Sequence, residues 1–593
     1  MAERFNVDAF EALFRERAEE ARRRTEDERE RKLDAARASV AQNPRDPDAC
    51  INAARSCKQL GRLHETLEIL RQGIGQCAPS VALHEYYIER LEKCNRTEEA
   101  IAAARKAVQL FPDELIFRLR EALILPILYD SRDQVEHYRR RFTEGLRKLV
   151  NEVPLDTRVE RRRALAAIGR SSNKYLPYQG QNDCELQALY GSWVQRIMAT
   201  NYPQWAQADP MPPVDGKIRV GYLTAFSDRF LNLSAAKLFG GWIRELDRQQ
   251  FEVFAYHADH RADPTAEYVR RWNTDFRQLS GNVEQIADAI RSDRLHLLVY
   301  LDFGIHPRMA QLAALRLAPL QCVAWDTPLT SGIPAMDYFL SSDLMEPPDA
   351  SDHYAEKLVR LPGVGVSFTK PVIPTVLLCK KRSDFGLRED AVVYLACQSI
   401  FKYSPEQDEV VAQIAKRVPN SQFVFLTTNE VVGSDLQRRM DGAFASMWLD
   451  ADRFCRFLPE MDLLDYWNLH RIGDVSLDTL GWSGGVTTFE ALACGLPVVT
   501  LPGALMRSRH SYAILTQLGV TETIARDGED YVAIAVRLGL EPQWRQSVVN
   551  RIVSNYPNLY SDTRWVRTLE VFYRQAVGEG LRLDSRAKPV ALT

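Results

Sequence analysis

The stretch that decides the fold is residues 479–503, TLGWSGGVTTFEALACGLPVVTLPG. Gly484 and Gly485 let the backbone approach a ligand closely, and the residues from Phe489 to Ala493 predict a helix that opens there. Free N–H groups at a helix start, together with the macrodipole, favour an anion. Leu496 to Leu501 then predicts a short buried strand. The stretch therefore predicts a site for a nucleotide diphosphate.

Side chains beside the turn add to this prediction. Thr487 and Thr488 offer hydroxyls and amides to a diphosphate, and Glu490 lies one turn into the helix. A carboxylate at that position could hydrogen-bond a ribose hydroxyl. A Gly-Gly turn before a helix is also common in proteins that bind no nucleotide, so an ordinary helix start stays open as the alternative.

Length and composition limit the class of protein. The chain has 593 residues, enough for roughly two to four domains, and a formal net charge of −3 that gives no overall attraction to nucleic acid or anionic membrane. No apolar run approaches the ~18 residues that span a bilayer, and the N-terminus lacks the apolar core of a signal peptide. The ten cysteines form no C-x-x-C pair or zinc-like spacing. We therefore expect a cytoplasmic protein without nucleic-acid partner, membrane span, disulfide or bound metal.

The N-terminal third predicts helices, and its middle part is repetitive. A charged amphipathic helix over residues 8–40 dominates the segment 1–45. From residue 46 a self-similarity of 34 residues matches the period of tetratricopeptide helix pairs, since residues 60–67 align with 94–101, and a third, weaker unit follows. We expect a short solenoid over residues 46–150 whose surface binds protein. An unrelated helical bundle is the alternative.

The rest of the chain alternates short apolar strands with helices. A helical connector over residues 151–213 ends in a Pro-rich linker, and two α/β lobes follow, 214–385 on the acceptor side and 386–580 for the nucleotide, before a tail over 581–593. The predicted strands are 217–223, 251–256, 295–301 and 321–325, then 392–396, 422–427, 475–477 and 496–501. Ligands of doubly wound parallel sheets bind at the carboxyl ends of the strands, so the Gly-Gly turn would face the cleft between the lobes.

Several motifs occur in an order that resembles one family. They are Tyr175–Gly180, Asn201–Trp205, Leu312–Trp325, Tyr338–Glu346, Gln398–Tyr403 and Ser483–Pro502. Over residues 46–575 the chain resembles bacterial tetratricopeptide-linked glycosyltransferases of the O-GlcNAc transferase/SPINDLY family. The resemblance implies two Rossmann-like lobes of the GT-B fold and a metal-independent, inverting transfer of a sugar from a nucleotide donor to a protein, with O-linkage to Ser or Thr. It also implies that the repeats hold the acceptor, which in some bacterial relatives is flagellin. No cofactor other than the donor substrate is expected, and a homo-oligomer is left open.

The donor-site residues of the family carry over where this sequence matches. Lys402 falls where such enzymes place a lysine against the donor diphosphate, and a fixed cation there would stabilise the leaving nucleotide. Gln398 begins the same loop, and Tyr466 falls near where relatives pack the base. Arg509 and His510 follow the next strand, where a polar helix start is the alternative, as an ordinary surface lysine is for Lys402. Gly484, Gly485, Thr487, Thr488 and Glu490 complete the predicted donor contacts.

Two histidines of the family are missing, which leaves the general base open. The loop over residues 222–232 has no His, and Thr327 stands where the closest bacterial relatives have the His of a Trp-x-His-Pro motif. Asp228, Asp326 and His306 are the substitutes, although each is also a plausible turn or capping residue. The sequence predicts an active glycosyltransferase, with an impaired GT-B scaffold or nucleotide-binding protein that acts through its repeats as the alternative. UDP, GDP and CMP donors are all compatible with the predicted site.

Overall fold

The computed structural model describes residues 7–225, 234–258, 269, 271–272, 274–304, 306–374, 378–560 and 562–587. These residues form a helical N-terminal region, a helical connector and two lobes, each built on a parallel sheet. The predicted fold class, a tetratricopeptide-like helical region followed by two α/β lobes, is confirmed. Asp228, one of the candidate bases, lies outside the described residues. Among the helices in the described ranges, none is long and apolar enough to cross a membrane.

Helix pairs stack along the N-terminal region. Their first helices begin at Pro47, Val81 and Leu115, which follow one another at the predicted spacing of 34 residues. The helices of the region are Val7–Gln42, Pro47–Gln59, Leu63–Gln76, Val81–Lys93, Thr97–Leu110, Leu115–Leu123 and Arg132–Glu152. The repeat in the sequence is therefore a repeat of helix pairs in the structure.

The turn inside the second helix pair differs from the turn inside the first, because its left-handed residue has a side chain that forms hydrogen bonds. Gly61 and Asn95 occupy equivalent positions, and both adopt the left-handed conformation, with φ of 77° and 56°. The Asn95 carboxamide also accepts from the backbone N–H groups of Ile127 (2.9 Å) and Leu128 (3.1 Å) and donates to the Asp435 carboxylate (3.1 Å). The second turn is therefore fastened to the third helix pair and to the second lobe.

The connector packs directly on the first lobe. Gly191 lies so close to it that a Cβ there would be 2.3 Å from the carbonyl oxygen of Gly332. Only glycine permits this approach of two backbones. The connector contains the helices Arg158–Ile168 and Cys184–Asn201 and the 3-10 turns Leu176–Gln179 and Pro203–Trp205.

Seven parallel strands form the core of the first lobe. They are β1 Ile218–Thr224, β2 Phe251–His257, β3 Asp275–Gln278, β4 Leu297–Tyr300, β5 Leu320–Ala324, β6 Tyr338–Ser342 and β7 Lys357–Leu361, and the helices are Ser234–Arg244, Val283–Ser292 and Pro307–Ala313. The order β3-β2-β1-β4-β5-β6-β7 reverses the winding between β1 and β4. The sequence predicted β1, β2, β4 and β5. It missed β3, β6 and β7; β3 is a polar edge strand with no fully buried residue.

Five parallel strands form the core of the second lobe. They are β8 Val392–Ala396, β9 Ser421–Thr427, β10 Cys455–Pro459, β11 Val475–Leu477 and β12 Val498–Val499. The order β10-β9-β8-β11-β12 reverses the winding between β8 and β11. The four predicted strands are present, and β10 is an additional edge strand. The helices of this part are Pro405–Arg417, Glu430–Ser446, Ala451–Phe454, Leu463–Ile472, Val486–Ala493, His510–Leu518, Gly528–Leu540, Pro542–Ser554, Tyr556–Leu559 and Arg564–Ala587.

The last helix, Arg564–Ala587, crosses back to the first lobe. Its Tyr573 hydroxyl lies 3.2 Å from the Tyr222 hydroxyl on β1, and its Glu570 carboxylate accepts from the N–H of Asp247 at 2.8 Å. The sequence boundaries placed this helix in the second lobe by its position in the chain. It therefore connects the second lobe, which it follows in the chain, to the first lobe.

Buried ion pairs join the repeats, the connector and the second lobe. Asp183 of the connector, whose side chain is fully buried, accepts from Arg139 of the third helix pair (2.7 Å) and from Arg507 of the second lobe (3.0 Å). A second buried pair, Arg439 with Asp408, lies within the second lobe, and Arg439 also donates to a backbone carbonyl of the repeats. The repeat region is therefore held against the second lobe by charged contacts that are largely buried.

Replacing Asp183 with Asn should destabilise the protein strongly, because it leaves two buried guanidinium groups without a carboxylate. We expect a loss of about 3 to 5 kcal/mol in the free energy of unfolding, measured by denaturant titration. Asp113→Asn is the matched control, since that carboxylate is exposed and pairs with Arg163 on the surface. It should cost at most about 1 kcal/mol. Equal effects of the two changes would contradict the role of Asp183.

Candidate functional site

Two loops of the second lobe meet where the winding of its sheet reverses. The loop after β8 carries Gln398 and Lys402, and the loop after β11 carries Asp478 and the turn of Gly484 and Gly485. Because β8 and β11 are adjacent parallel strands, both loops leave the same edge of the sheet. Open α/β sheets bind their ligands at this edge. We call this arrangement of residues the donor site.

A buried carboxylate shapes the turn of the donor site. Asp478, only 2% exposed, accepts from the N–H of Gly484 (2.7 Å) and from the hydroxyls of Ser483 (2.6 Å) and Thr500 (2.7 Å). Burial raises the pKa of Asp478, and these donors oppose the rise. Since Thr500 follows β12, one side chain ties the ends of β11 and β12 to the Gly-Gly turn.

The helix Val486–Ala493 begins at this turn. Its first hydrogen bond runs from the N–H of Thr488 to the carbonyl of Gly485, at 3.0 Å. The amides of residues 485–487 precede that bond, so they belong to the open end of the helix. Open amides and the helix dipole together favour a bound anion.

The two glycines of the turn have different surroundings. A Cβ on Gly484 would lie 2.6 Å from the side chains of Gln398 and Thr487, so a larger residue would collide with the protein itself. A Cβ on Gly485 would find His510 Nδ1 as its nearest atom, at 3.9 Å. Gly485 therefore leaves an open space at the helix start, of the kind that a bound phosphate needs.

Lys402 presents a cation to the same turn. Its Nζ donates to Gln398 (2.9 Å) and lies 3.5 Å from the carbonyl oxygen of Ser483, while Gln398 donates to the Thr487 hydroxyl (2.8 Å). Burial of the ammonium lowers the pKa of Lys402 to about 8, against the opposing charge of Asp478. Within the described part of the chain, the hydrogen bonds of this ammonium go to neutral oxygens. A cation held in this way is suited to an incoming anion.

Glu490 and Tyr466 lie near each other beyond the turn. Glu490 is buried, and its carboxylate pairs with Lys237 of the first lobe at 2.5 Å. Burial, and after it the charge of Glu490, raises the pKa of Tyr466. Among the described residues the Tyr466 hydroxyl has no hydrogen-bond partner. The Thr488 hydroxyl, predicted to contact the ligand, donates to the carbonyl of Gly484 (2.9 Å) and so stabilises the turn.

His510 faces the cleft between the lobes, and Arg509 does not reach the turn. Burial and the neighbouring Lys402 lower the pKa of His510 to about 3, so this imidazole is neutral at physiological pH. Its ring lies 5.3 Å from the ring of Trp325 in the first lobe, and its Nε2 is unpartnered within the described residues. Arg509 instead donates to the Met345 carbonyl at 3.0 Å, which joins the two lobes.

A cavity of about 300 Å³, which we call the connector pocket, lies beside the donor site. Asp326 and His306, two of the candidate bases, line it. His306 caps a helix, because its Nδ1 accepts from the N–H of Arg308 at 3.1 Å; the neutral ring then carries its proton on Nε2. The lining residues are 171–175, 177, 178, 187 and 190 of the connector, 303, 304, 306, 307, 310, 326, 327, 329, 331 and 333 of the first lobe, and 401 and 482 of the second.

Two residues at or next to the donor site, Asp478 and Lys237, were not predicted from the sequence to have a function. Asp478 carries a local signal, a carboxylate directly after a strand and just before a Gly-Gly turn. Lys237 carries none, because it reaches Glu490 across 253 residues of chain. Within the described ranges, no group of three or more His, Cys, Asp or Glu side chains could hold a metal ion.

The chain has the architecture of the GT-B fold: two lobes, each built on a parallel sheet, with a cleft between them. The second lobe carries a helix start that is suited to bind an anion. The chain belongs to glycosyl transferase family 41, whose model matches residues 144–366 and 367–561. This match covers the connector and both lobes. It confirms the resemblance to the O-GlcNAc transferase/SPINDLY family.

Curated relatives are similar to this chain at low identity. The chain is 25% identical over 370 residues to the probable UDP-N-acetylglucosamine–peptide N-acetylglucosaminyltransferase SPINDLY of Oryza sativa subsp. japonica, which covers 60% of this chain and 38% of the relative. It is 27% identical over 368 residues to the probable enzyme of the same description named SEC from Arabidopsis thaliana, with 60% and 37% covered. The chain therefore spans about two fifths of the length of these relatives.

One solved structure is similar over almost the whole chain. It is a mutant of the O-GlcNAc transferase of Thermobaculum terrenum, with a TM-score of 0.66 and 22% identity, and the match covers 91% of this chain and 98% of that chain. The likeness shows a shared fold that includes the helical N-terminal region.

The affinity for nucleotide should fall as the pH rises through the pKa of Lys402. The free protein holds this ammonium protonated below about pH 8, and a bound diphosphate would raise its pKa, so binding above that pH must first restore a proton. We expect up to about a tenfold loss of affinity per pH unit above the pKa, measured by calorimetry with UDP, GDP and CMP. Lys402→Arg stays charged and should abolish this slope. An identical slope in both proteins would exclude Lys402 as the ligand's cation.

The two glycines offer a matched pair of substitutions. Gly484→Ala should destabilise the fold, because its methyl group meets Gln398 and Thr487. Gly485→Ala should leave thermal stability almost unchanged and weaken nucleotide binding at least about tenfold, since its methyl group occupies the space at the helix start. Nucleotide binding by Gly485→Ala at wild-type affinity would show that the ligand does not approach this turn.

Proposed function

We propose that this protein transfers a sugar from a nucleotide donor to a Ser or Thr hydroxyl of a protein acceptor, and that it inverts the anomeric centre. The observation that carries the proposal is the Lys402 ammonium, held by neutral oxygens beside the open end of a helix. Membership of family 41 supports a glycosyltransferase. The names of the relatives make UDP-N-acetylglucosamine the first donor to test.

The proposed reaction forms one bond and breaks another at the anomeric carbon. The acceptor oxygen attacks this carbon from the face opposite the nucleotide, and the bond to the diphosphate oxygen breaks. Lys402 and the amides of the helix start stabilise the negative charge that develops on the leaving diphosphate. Because these groups supply the positive charge, the proposed step requires no metal ion.

Asp326 is the residue that we assign to the acceptor proton. It lines the connector pocket, in which an acceptor would approach the donor site. His306 is less suited to accept a proton, because the nitrogen that carries a lone pair is already engaged with the backbone N–H of Arg308. Glu490 and Tyr466 are assigned to the ribose and the base of the nucleotide. A nucleotide-binding protein without turnover is the second candidate, favoured by the missing family histidines.

Asp326→Asn should lower the rate of sugar transfer by about 10²- to 10⁴-fold, as the loss of a general base does, while nucleotide affinity stays unchanged. His306→Asn is the matched control, since Asn preserves the helix cap and removes the imidazole; its rate should remain within a few-fold of wild type. Single-turnover transfer of radiolabelled sugar to a peptide library, with UDP-GlcNAc and then GDP- and CMP-linked sugars, measures both. The reverse ranking of the two variants would make His306 the base. Tight nucleotide binding with no transfer from any donor would favour the second candidate.

A further inference from the structure

Two thiols meet inside the first helix pair. Cys50 lies in the helix Pro47–Gln59, and Cys77 directly follows the helix Leu63–Gln76. The two cysteines are 27 positions apart in the chain, yet their sulfur atoms are only 3.9 Å apart. Both side chains are free thiols. The fold of the pair therefore brings two oxidisable groups into direct contact.

A glycine allows the two helices to approach each other at this level. Gly73 lies one turn before Cys77, whose N–H donates to the Gly73 carbonyl at 2.8 Å. A Cβ on Gly73 would lie 3.1 Å from both the Cβ and the Sγ atom of Cys50, so any side chain there would press against Cys50. Gly73 and Cys77 thus present one face of their helix to Cys50.

The same two positions are also in contact in the second helix pair. Cys50 and Cys77 correspond to His84 and Phe111, 34 residues further along the chain. The rings of His84 and Phe111 pack edge to face, with centroids 5.2 Å apart. The geometry of the repeat therefore sets this contact, and each unit fills it with a different pair of residues. In the first unit the pair can become covalently joined.

The two thiols differ in their access to solvent and in their reactivity. Cys77 is partly exposed, whereas Cys50 is only 2% exposed. Burial, and after it the charge of Cys77, raises the pKa of the Cys50 thiol to about 11. Cys50 is therefore protonated at neutral pH, and a protonated thiol is a poor nucleophile. An oxidant from solvent reaches Cys77 first.

The first helix pair packs around a small core of its own. The buried side chains of that core, against which Cys77 packs, are Cys50, Ile51, Ala54, Leu70 and Leu83. The lobes and the later repeats share a separate and much larger core. Because hydrophobic stabilisation grows with the apolar area that is buried, we expect the first pair to open more readily than the rest of the repeats. A bond between Cys50 and Cys77 would hold its two helices together.

We propose that Cys50 and Cys77 are an oxidation site, at which hydrogen peroxide forms a reversible disulfide that holds the first helix pair closed. The Cys77 thiolate attacks one peroxide oxygen; an S–O bond forms, the O–O bond breaks, and the second oxygen leaves as hydroxide and takes up a proton. The Cys50 sulfur then attacks the sulfur of the Cys77 sulfenic acid, and the S–O bond breaks as the S–S bond forms. The Cys50 proton leaves with the hydroxyl group as water.

Electrons balance in this sequence of steps. The two thiols lose two electrons, and hydrogen peroxide gains them and becomes two molecules of water. A small thiol such as glutathione returns the pair to its reduced form by thiol–disulfide exchange. The chemistry uses none of the residues of the donor site, so it is independent of sugar transfer.

The test treats the full-length protein with hydrogen peroxide, blocks the remaining thiols with iodoacetamide and maps the tryptic peptides by mass spectrometry. Arg55 and Arg71 lie between the two cysteines, so a disulfide joins two separate peptides, and cleavage at Arg55 also separates Cys50 from Cys57. We expect the linked peptides in wild type and their loss after reduction. Amide hydrogen exchange of residues 47–77 should slow at least about tenfold on oxidation.

Two variants test the order of the steps. Cys50→Ala should form no disulfide and should accumulate a sulfenic acid at Cys77, which dimedone traps. Cys77→Ser, at the partly exposed position, should form neither product. Cys379→Ala is the control, because Cys379 is exposed and lies outside the repeats; it should form the disulfide as wild type does. Thermal melting of the reduced proteins shows that each variant is folded.

Three results would overturn the proposal. The first is the absence of linked Cys50 and Cys77 peptides from oxidised wild type, or their linkage to other cysteines at equal yield. The second is an amide exchange rate in residues 47–77 that oxidation leaves unchanged. The third is a folded Cys50→Ala protein that gives no dimedone adduct at Cys77.

Discussion

The hydrogen bonds of Asp478 are the contacts on which the donor site depends. This buried carboxylate accepts hydrogen bonds from the N–H of Gly484 and from the hydroxyls of Ser483 and Thr500. It thereby fixes the turn between β11 and the helix that follows. The same negative charge opposes the loss of the proton from Lys402 as burial lowers its pKa. Asp478 therefore has two effects on the donor site. It fixes the shape of the turn at the helix start, and its negative charge helps to keep Lys402 protonated near neutral pH.

A chain of polar contacts links this turn to the repeats. Arg139 and Asp183 hold Arg507, and the carbonyl of Arg507 accepts from the N–H of Ser483 at 2.7 Å, one residue before the turn. The repeats and the turn of the donor site are thus linked through the charged residues Arg139, Asp183 and Arg507. Because removing one partner of a buried ion pair is strongly destabilising, these contacts help to hold the repeats beside the donor site in the native fold.

Local patterns predicted the parts of the molecule that are encoded locally. The 34-residue period, the apolar strands β1, β8 and β11 and the glycine turn are each visible in one short window. The pair of Glu490 with Lys237 is not, because a buried carboxylate selects its partner in three dimensions. The connector pocket also escaped prediction, since three separate chain segments form its wall. Position in the chain assigned the last helix to the second lobe, because its contact with β1 joins residues that are far apart in the sequence.

The left-handed turn at Asn95 limits where the repeat array can gain or lose units in evolution. A solenoid normally gains or loses units freely, because each unit contacts only its neighbours. Here the turn residue of the second unit is bonded both to the next unit and to Asp435 of the second lobe. A unit inserted after it would carry these partners out of reach. The array can therefore gain units only on the N-terminal side of this turn, because the units from the turn onward are held to the second lobe by these hydrogen bonds.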